Sequence, residues 1–241
     1  MKAKSTLLSE HRRSAPKKKK RNVGRAVARL PHATRRAQIL SQAAEFFAEY
    51  GLTAQTRALA EVCGISQRLL YRFFPNKAAL IEEVYKAEIA GPFRAIWFAD
   101  LCDRTRPVEQ RLNDFYACYY DEVLTQRWLR LFLYASLADV GMAPAYISTI
   151  LTHMLEVIVR EATHELGLAV PEDQAMVHEL GWSLHGAISH LAIRRRIYSN
   201  TNPPPAAAVV PIYVRSFLGG LPAALAALQK PSSRQDRRLT T

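Results

Sequence analysis

Apolar and polar positions alternate with a helical period along almost the whole chain from residue 35 onward. Ile39, Leu40, Ala43, Phe46, Phe47 and Tyr50 recur three and four residues apart, the spacing that gathers side chains on one face of an α-helix. The pattern predicts a first helix over 35–50, capped by Thr34 and stopped by Gly51. Thr56 is the expected N-cap of a second helix, 57–63, with Leu59, Ala60 and Cys63 turned inward. Gly64 makes a turn, Ser66 caps a third helix that ends at Pro75, and Asn76 caps a fourth over 77–90.

The third helix has two faces. Leu69, Leu70, Phe73 and Phe74 fall in one arc, and Gln67, Arg68, Tyr71 and Arg72 in the opposite one. A short helix that buries one side and offers Gln, Arg, Tyr and Arg on the other suits an anionic surface. The DNA major groove fits best, since Arg pairs bidentately with guanine and Gln with adenine.

Further on, helices are expected over 92–101, 107–124, 127–138, 144–166 and 172–199. A last one over 206–228 is expected despite Pro211 and the β-branched run Val209, Val210, Ile212 and Val214. In 172–199, Leu180, Leu184, Ala187, Ile188 and Leu191 share one arc and His178, Trp182, His185 and Ser189 another. Two buried-looking sides fit a helix that packs in its own subunit and against a partner. The His/Trp arc is the candidate ligand-binding stripe, with aromatic support from Tyr116, Tyr119, Tyr120 and Trp128. His178 and His185 lie about 10 Å apart along the axis, too far to share a metal ion.

Charge changes the picture less than its total suggests. The net charge is +12, but residues 1–30 hold 11 Lys/Arg against one Glu, while residues 31–90 and 91–241 are each close to neutral. The basicity sits in an N-terminal arm, read either as a solvated, disordered segment or as a source of extra phosphate contacts. Specific reading must then rest on a few placed side chains. Three cysteines without a CxxC pair suit a reducing interior rather than disulfides or a zinc site. The longest uncharged stretch, 197–214, is broken by Asn and by Pro203, Pro204 and Pro205, so no membrane span is expected. No GxSxG, HExxH, P-loop or GxGxxG motif is present, so neither an enzyme nor a cofactor is expected.

The segment Thr34–Ile89 resembles the N-terminal domain of TetR-family transcriptional regulators. Ile39-Leu40, Ala43, Phe47, Gly51, Leu59-Ala60, Gly64-Ile65-Ser66, Leu70-Tyr71, Phe74, Lys77 and Leu80 carry the likeness, with Leu69 and Phe73 as departures where the family often has Thr and His. The resemblance implies an all-α chain of about nine helices. It divides into an arm (1–30), a three-helix helix-turn-helix DNA-binding domain (31–92), a helical regulatory and dimerisation domain (93–229) and a flexible tail (230–241). It implies DNA contacts from Arg57, Ser66, Gln67, Arg68, the position of Leu69, Tyr71, Arg72 and Lys77. The partners it implies are double-stranded DNA with a palindromic operator, a second copy of the chain and a small-molecule effector. The expected setting is cytoplasmic, at the nucleoid. A repressor released by ligand is the leading expectation; an activator, or a weakly specific nucleoid-like binder driven by the arm, is the alternative.

Overall fold

The computed structural model describes residues 31–138, 145–198 and 202–228. The chain is all-helical over these residues. Four helices come first: α1 (His32–Tyr50), α2 (Thr56–Val62), α3 (Gln67–Phe73) and α4 (Lys77–Val84), which runs on in wider π-helical turns over Tyr85–Ala90. Then follow α5 (Ile96–Cys102), α6 (Val108–Glu122) and α7 (Gln126–Leu137). A π-helical lead-in, Ile147–Leu151, opens α8 (Thr152–Glu165), and α9 (Gln174–Arg196) and α10 (Ala206–Leu228) complete the fold. The expected all-α class is the observed one, with ten helices and no strand among the described residues. The arm and tail expected over 1–30 and 230–241 lie outside them.

The first four helices close around a shared apolar centre. Ile39, Ala43 and Phe47 of α1 meet Leu59 and Ala60 of α2, Leu70 of α3 with Phe74 after it, and Leu80 and Val84 of α4; all are buried. Burial of this set removes apolar surface from water, the main favourable contribution to folding. Gly51 ends α1 at φ 81° and Gly64 turns between α2 and α3 at φ 64°. Both lie in the left-handed region that favours glycine.

α7 joins this unit to the rest. The Arg130 guanidinium donates to the Ala48 and Glu49 carbonyls at the end of α1, which lack intrahelical partners. Arg127 pairs with Glu88 at 2.8 Å, and the Trp128 indole N–H donates to the Ile89 carbonyl at 3.2 Å. In the larger part, α8 packs on α9, and α10 on α6 and α9. Gly181 permits the first contact, because a Cβ there would lie 2.7 Å from Leu155 Cβ. Arg111 and Glu161 form a buried ion pair at 3.2 Å, with Arg104 completing it bidentately at 2.9 and 3.0 Å. Burial pushes the Glu161 carboxyl up, but the hydrogen bonds from Arg104 and Arg111 outweigh it and hold the group low.

Several boundaries differ from expectation for local reasons. α1 starts at His32 with Pro31 at its cap, not Thr34, because the Pro31 carbonyl already accepts from Arg35 N–H at 2.9 Å. Thr56 is not a cap either. Gln55 takes that place, and Thr56 is the first helical residue, with its hydroxyl spent on α3. The helix expected from residue 92 begins at Ile96 after a turn, and the one expected from 172 begins at Gln174, capped by the Asp173 carboxylate on Ala175 N–H at 2.9 Å. Residues 139–144, which hold the expected start at 144, are outside the described residues.

α10 is helical through Pro211 and Pro222. Val210, Val214, Phe217, Leu221 and Leu225 recur every three to four residues and are all buried, which outweighs the hydrogen bonds the prolines remove. By length and composition alone α10 could cross a membrane, with a mean hydropathy of 1.5 over its most apolar window. One face of it packs on α6 and α9, and the opposite face is exposed.

Candidate functional site

The α2–turn–α3 pair holds the first candidate site. Ser66 Oγ accepts from Leu69 N–H at 3.1 Å and caps α3 as its sequence position suggests. Leu70 and Phe74 anchor the core face. On the other face Gln67, Arg68, Tyr71 and Arg72 are all exposed. Leu69 and Phe73 are half-buried, so Leu69 sits at the border of the two faces rather than on the reading side.

The polar face is organised from beneath. Tyr71 OH lies 2.9 Å from Thr56 Oγ1, and Gln67 Nε2 donates to the same oxygen at 3.0 Å. Thr56 is itself buried, so two reading-face side chains hang from one fixed hydroxyl of α2. The Lys77 amine, half-buried at the start of α4, is lowered by desolvation, with the Tyr71 phenol acting the other way. Asn76 caps that helix, Oδ1 accepting from Ala79 N–H at 2.8 Å. Arg57 is exposed beside Glu61 at 3.5 Å. Among the described residues Arg68 and Arg72 form no ion pair, which leaves both guanidiniums open to an outside anion.

The expected ligand stripe on α9 is divided by the fold. His185 lies within the buried arc, beside Leu184 and Ile188, not apart from it. Its Nε2 meets Ser189 Oγ at 3.1 Å, and the Trp182 ring stands 5.3 Å away. His178 sits apart, at 2.9 Å from a Glu156 carboxylate oxygen of α8. Tyr116 and Tyr119 do join His185, with ring centroids at 6.1 and 5.4 Å. Tyr120 instead lies under the Arg196 guanidinium.

Burial in this aromatic setting pulls the His185 imidazole down to about 3. It pushes the Tyr116, Tyr119 and Tyr146 phenols up. The cluster is therefore neutral at ordinary pH. Tyr146, for which the sequence offered no periodic signal, extends it: its hydroxyl lies 3.1 Å from that of Tyr119, and its ring stands edge-on to Trp128 at 5.4 Å. Through Trp128 and the Ile89 carbonyl the cluster reaches the π-helical end of α4. Among the described residues no group of three His, Cys, Asp or Glu side chains is placed to hold a metal ion.

Two short helices at a glycine turn, the second capped and polar on its outer face, define a helix-turn-helix protein. Residues 39–84 match the family model described as bacterial regulatory proteins, tetR family, so the N-terminal unit is a TetR-type domain. No curated protein sequence matches the chain. Among solved structures, a TetR-like transcriptional regulator from Rhodococcus sp. RHA1 is similar at 18% identity and a TM-score of 0.61, covering 81% of this chain and 99% of the other. A tetR-family transcriptional regulator from Streptomyces coelicolor is 19% identical with a TM-score of 0.52, over 82% and 85% of the two chains. The fatty acid degradation regulator FadR from Bacillus halodurans is 17% identical with a TM-score of 0.55, over 78% and 96%. At these identities the likeness is one of fold, and it extends through the whole helical body.

Proposed function

We propose that the protein is a sequence-specific DNA-binding transcriptional regulator. In this reading it is a homodimeric repressor that a small-molecule effector releases from a palindromic operator. The observation that carries it is the polar face of α3, with Gln67 and Tyr71 hung on Thr56 and with Arg68 and Arg72 in no ion pair among the described residues. Gln67 and Arg68 serve as base readers, while Tyr71, Arg72, Lys77, Arg57 and the capped start at Ser66 hold phosphates. Residues 31–92 form the DNA-binding domain and 93–229 the regulatory one. The protein acts by binding, with no catalysis, in the cytoplasm at the nucleoid.

A second copy of the chain is the partner for α9 and α10. Ser216, Gly219 and Ala223 form an exposed line of small residues on α10 that Ile212 extends as an exposed apolar side chain, and a Cβ at Gly219 or Gly220 of α10, or at Gly186 of α9, would meet nothing within 4 Å. Pairing these helices with their copies sets two recognition helices about 34–36 Å apart, one turn of the duplex. Effector binding at His185, Trp182 and Ser189, with His178 at the rim, favours a different spacing by population shift. Tyr119, Tyr146, Trp128 and Ile89 are the contiguous contacts that connect that site to α4.

Selection of bound fragments from random DNA by the purified chain tests the proposal. A palindromic enriched site supports specificity and dimer symmetry together, whereas recovery of unrelated sequences rejects it. Deleting residues 1–30 separates the nucleoid-like alternative, in which binding collapses with the arm.

A further inference from the structure

Two polar atoms at the centre of the helical body are buried and unused. Tyr116 OH and His185 Nδ1 have no hydrogen-bond partner among the described residues, although Tyr116 is fully buried and His185 is 2% exposed. Buried polar groups are nearly always paired, and an orphan costs the full desolvation of that group. Here two orphans belong to rings 6.1 Å apart. They face a common aromatic surround, with Tyr119 beside both and Trp182 beside His185. Two costly atoms on neighbouring rings point to a third group that satisfies both.

We propose that Tyr116 and His185 anchor the head group of the effector, and that this effector is uncharged. It has a mostly apolar body carrying a ketone, ester or hydroxyl oxygen. The inference rests on the reading that the helical half binds an effector, and it names that ligand's chemical class.

The hydrogen-bond arithmetic supports a single oxygen. His185 Nε2 is taken by Ser189. If it accepts the serine proton, Nδ1 carries an N–H; if it donates, Nδ1 is a bare acceptor. A carbonyl oxygen accepts from that N–H and from the Tyr116 hydroxyl. An alcohol donates to the bare nitrogen and accepts from Tyr116. Both satisfy the two orphans at once. Among the described residues, α6 offers a charged head no free counter-ion. On α6 Glu109, Arg111, Asp114, Asp121 and Glu122 each already pair with another side chain, and an unpaired charge brought into such a core is strongly disfavoured. Trp182 is half-buried and marks the side on which the apolar body lies.

Calorimetric titration of the full chain with four probes of related skeleton tests this. The probes are 4-phenyl-2-butanone, 4-phenyl-2-butanol, 4-phenylbutanoate and 4-phenylbutylamine. The ketone and alcohol are expected to bind at least about tenfold more tightly than the two charged probes, and Tyr116→Phe and His185→Phe each to weaken ketone binding about tenfold. Tyr116→Phe removes a hydroxyl without a partner, so the ligand-free variant should melt no lower than the parent. That outcome separates an anchoring role from a structural one. Equal or tighter binding of a charged probe, or an unchanged ketone affinity in Tyr116→Phe, overturns the proposal. If a charged probe binds and depends on Tyr116, the ligand class is wrong but the effector reading stands. If no probe binds, the anchor assignment fails, and the effector reading at this cluster falls with it.

Discussion

The Tyr71 hydroxyl of α3 lies 2.9 Å from the Thr56 hydroxyl of α2, so the reading face is braced from the supporting helix rather than left to solvent. Gln67 shares the same oxygen, and a single buried threonine therefore sets the directions of two candidate DNA contacts. Side chains held before binding lose less conformational freedom on contact than free ones.

Replacing that hydroxyl while keeping its shape isolates the brace. Thr56→Val is expected to cost about 1 kcal/mol of stability and to lower operator affinity, because Gln67 and Tyr71 must then be ordered at the moment of binding. Urea melts and fluorescence anisotropy on one operator measure the two effects; unchanged affinity in a folded variant rejects the brace.

Arg68 and Lys77 should fail differently. Arg68→Ala is expected to weaken operator binding and relax sequence preference, by about 1–3 kcal/mol at the base it reads. Lys77→Ala should weaken all sequences alike and make binding less salt-dependent. Gel-shift affinities unchanged in both variants would overturn the assignment.

Trp128 joins the aromatic cluster to α4 through the Ile89 carbonyl. Trp128→Phe keeps a ring there but removes the N–H, at an expected cost of about 1–2 kcal/mol. DNA binding without effector should persist, while effector-driven release is blunted. Normal release in this variant, followed by anisotropy, argues against the connection.

His185 should make stability depend on pH. Its folded value near 3 lies below the ordinary 6.5, so between the two the unfolded chain binds a proton that the folded chain refuses. Stability from this group is full above about pH 6.5 and falls as pH drops, by up to about 1.4 kcal/mol per unit. His185→Phe should flatten the profile between pH 6.5 and the carboxylate range; an identical profile in denaturant melts contradicts the burial argument.

Gly181 marks a close approach of α9 to α8. In Gly181→Ala the new methyl would lie 2.7 Å from Leu155 Cβ and 3.1 Å from its Cα, atoms that cannot move without the backbone. A loss of about 1–3 kcal/mol is expected, read as a lower midpoint in thermal melts. A gain in stability shows that α8 and α9 separate more easily than this packing implies.

The helix-turn-helix was legible in advance because its determinants are local. The Ser66 and Asn76 caps, the Gly51 and Gly64 turns and the two arcs of α3 all depend on residues within a turn or two of each other, and all appear in the structure. α10 was legible for the same reason: its apolar period survives two prolines. Thr56 was misread because a threonine before a helix serves equally as a cap or as the first helical residue. Only the position of Tyr71 on another helix decides between them.

The same limit divides the α9 stripe. Period alone placed His178, Trp182, His185 and Ser189 together, whereas in the fold His185 is buried and His178 stands apart on Glu156. What each side chain meets is set by neighbours that no local pattern encodes: Glu156 takes His178, while Tyr116 and Tyr119 enclose His185. The sequence by itself determined the elements, their faces and the fold class, because helix periodicity and capping act over a few residues. Tertiary structure alone decided which polar groups are satisfied and which are left waiting, because that depends on side chains brought together from distant helices.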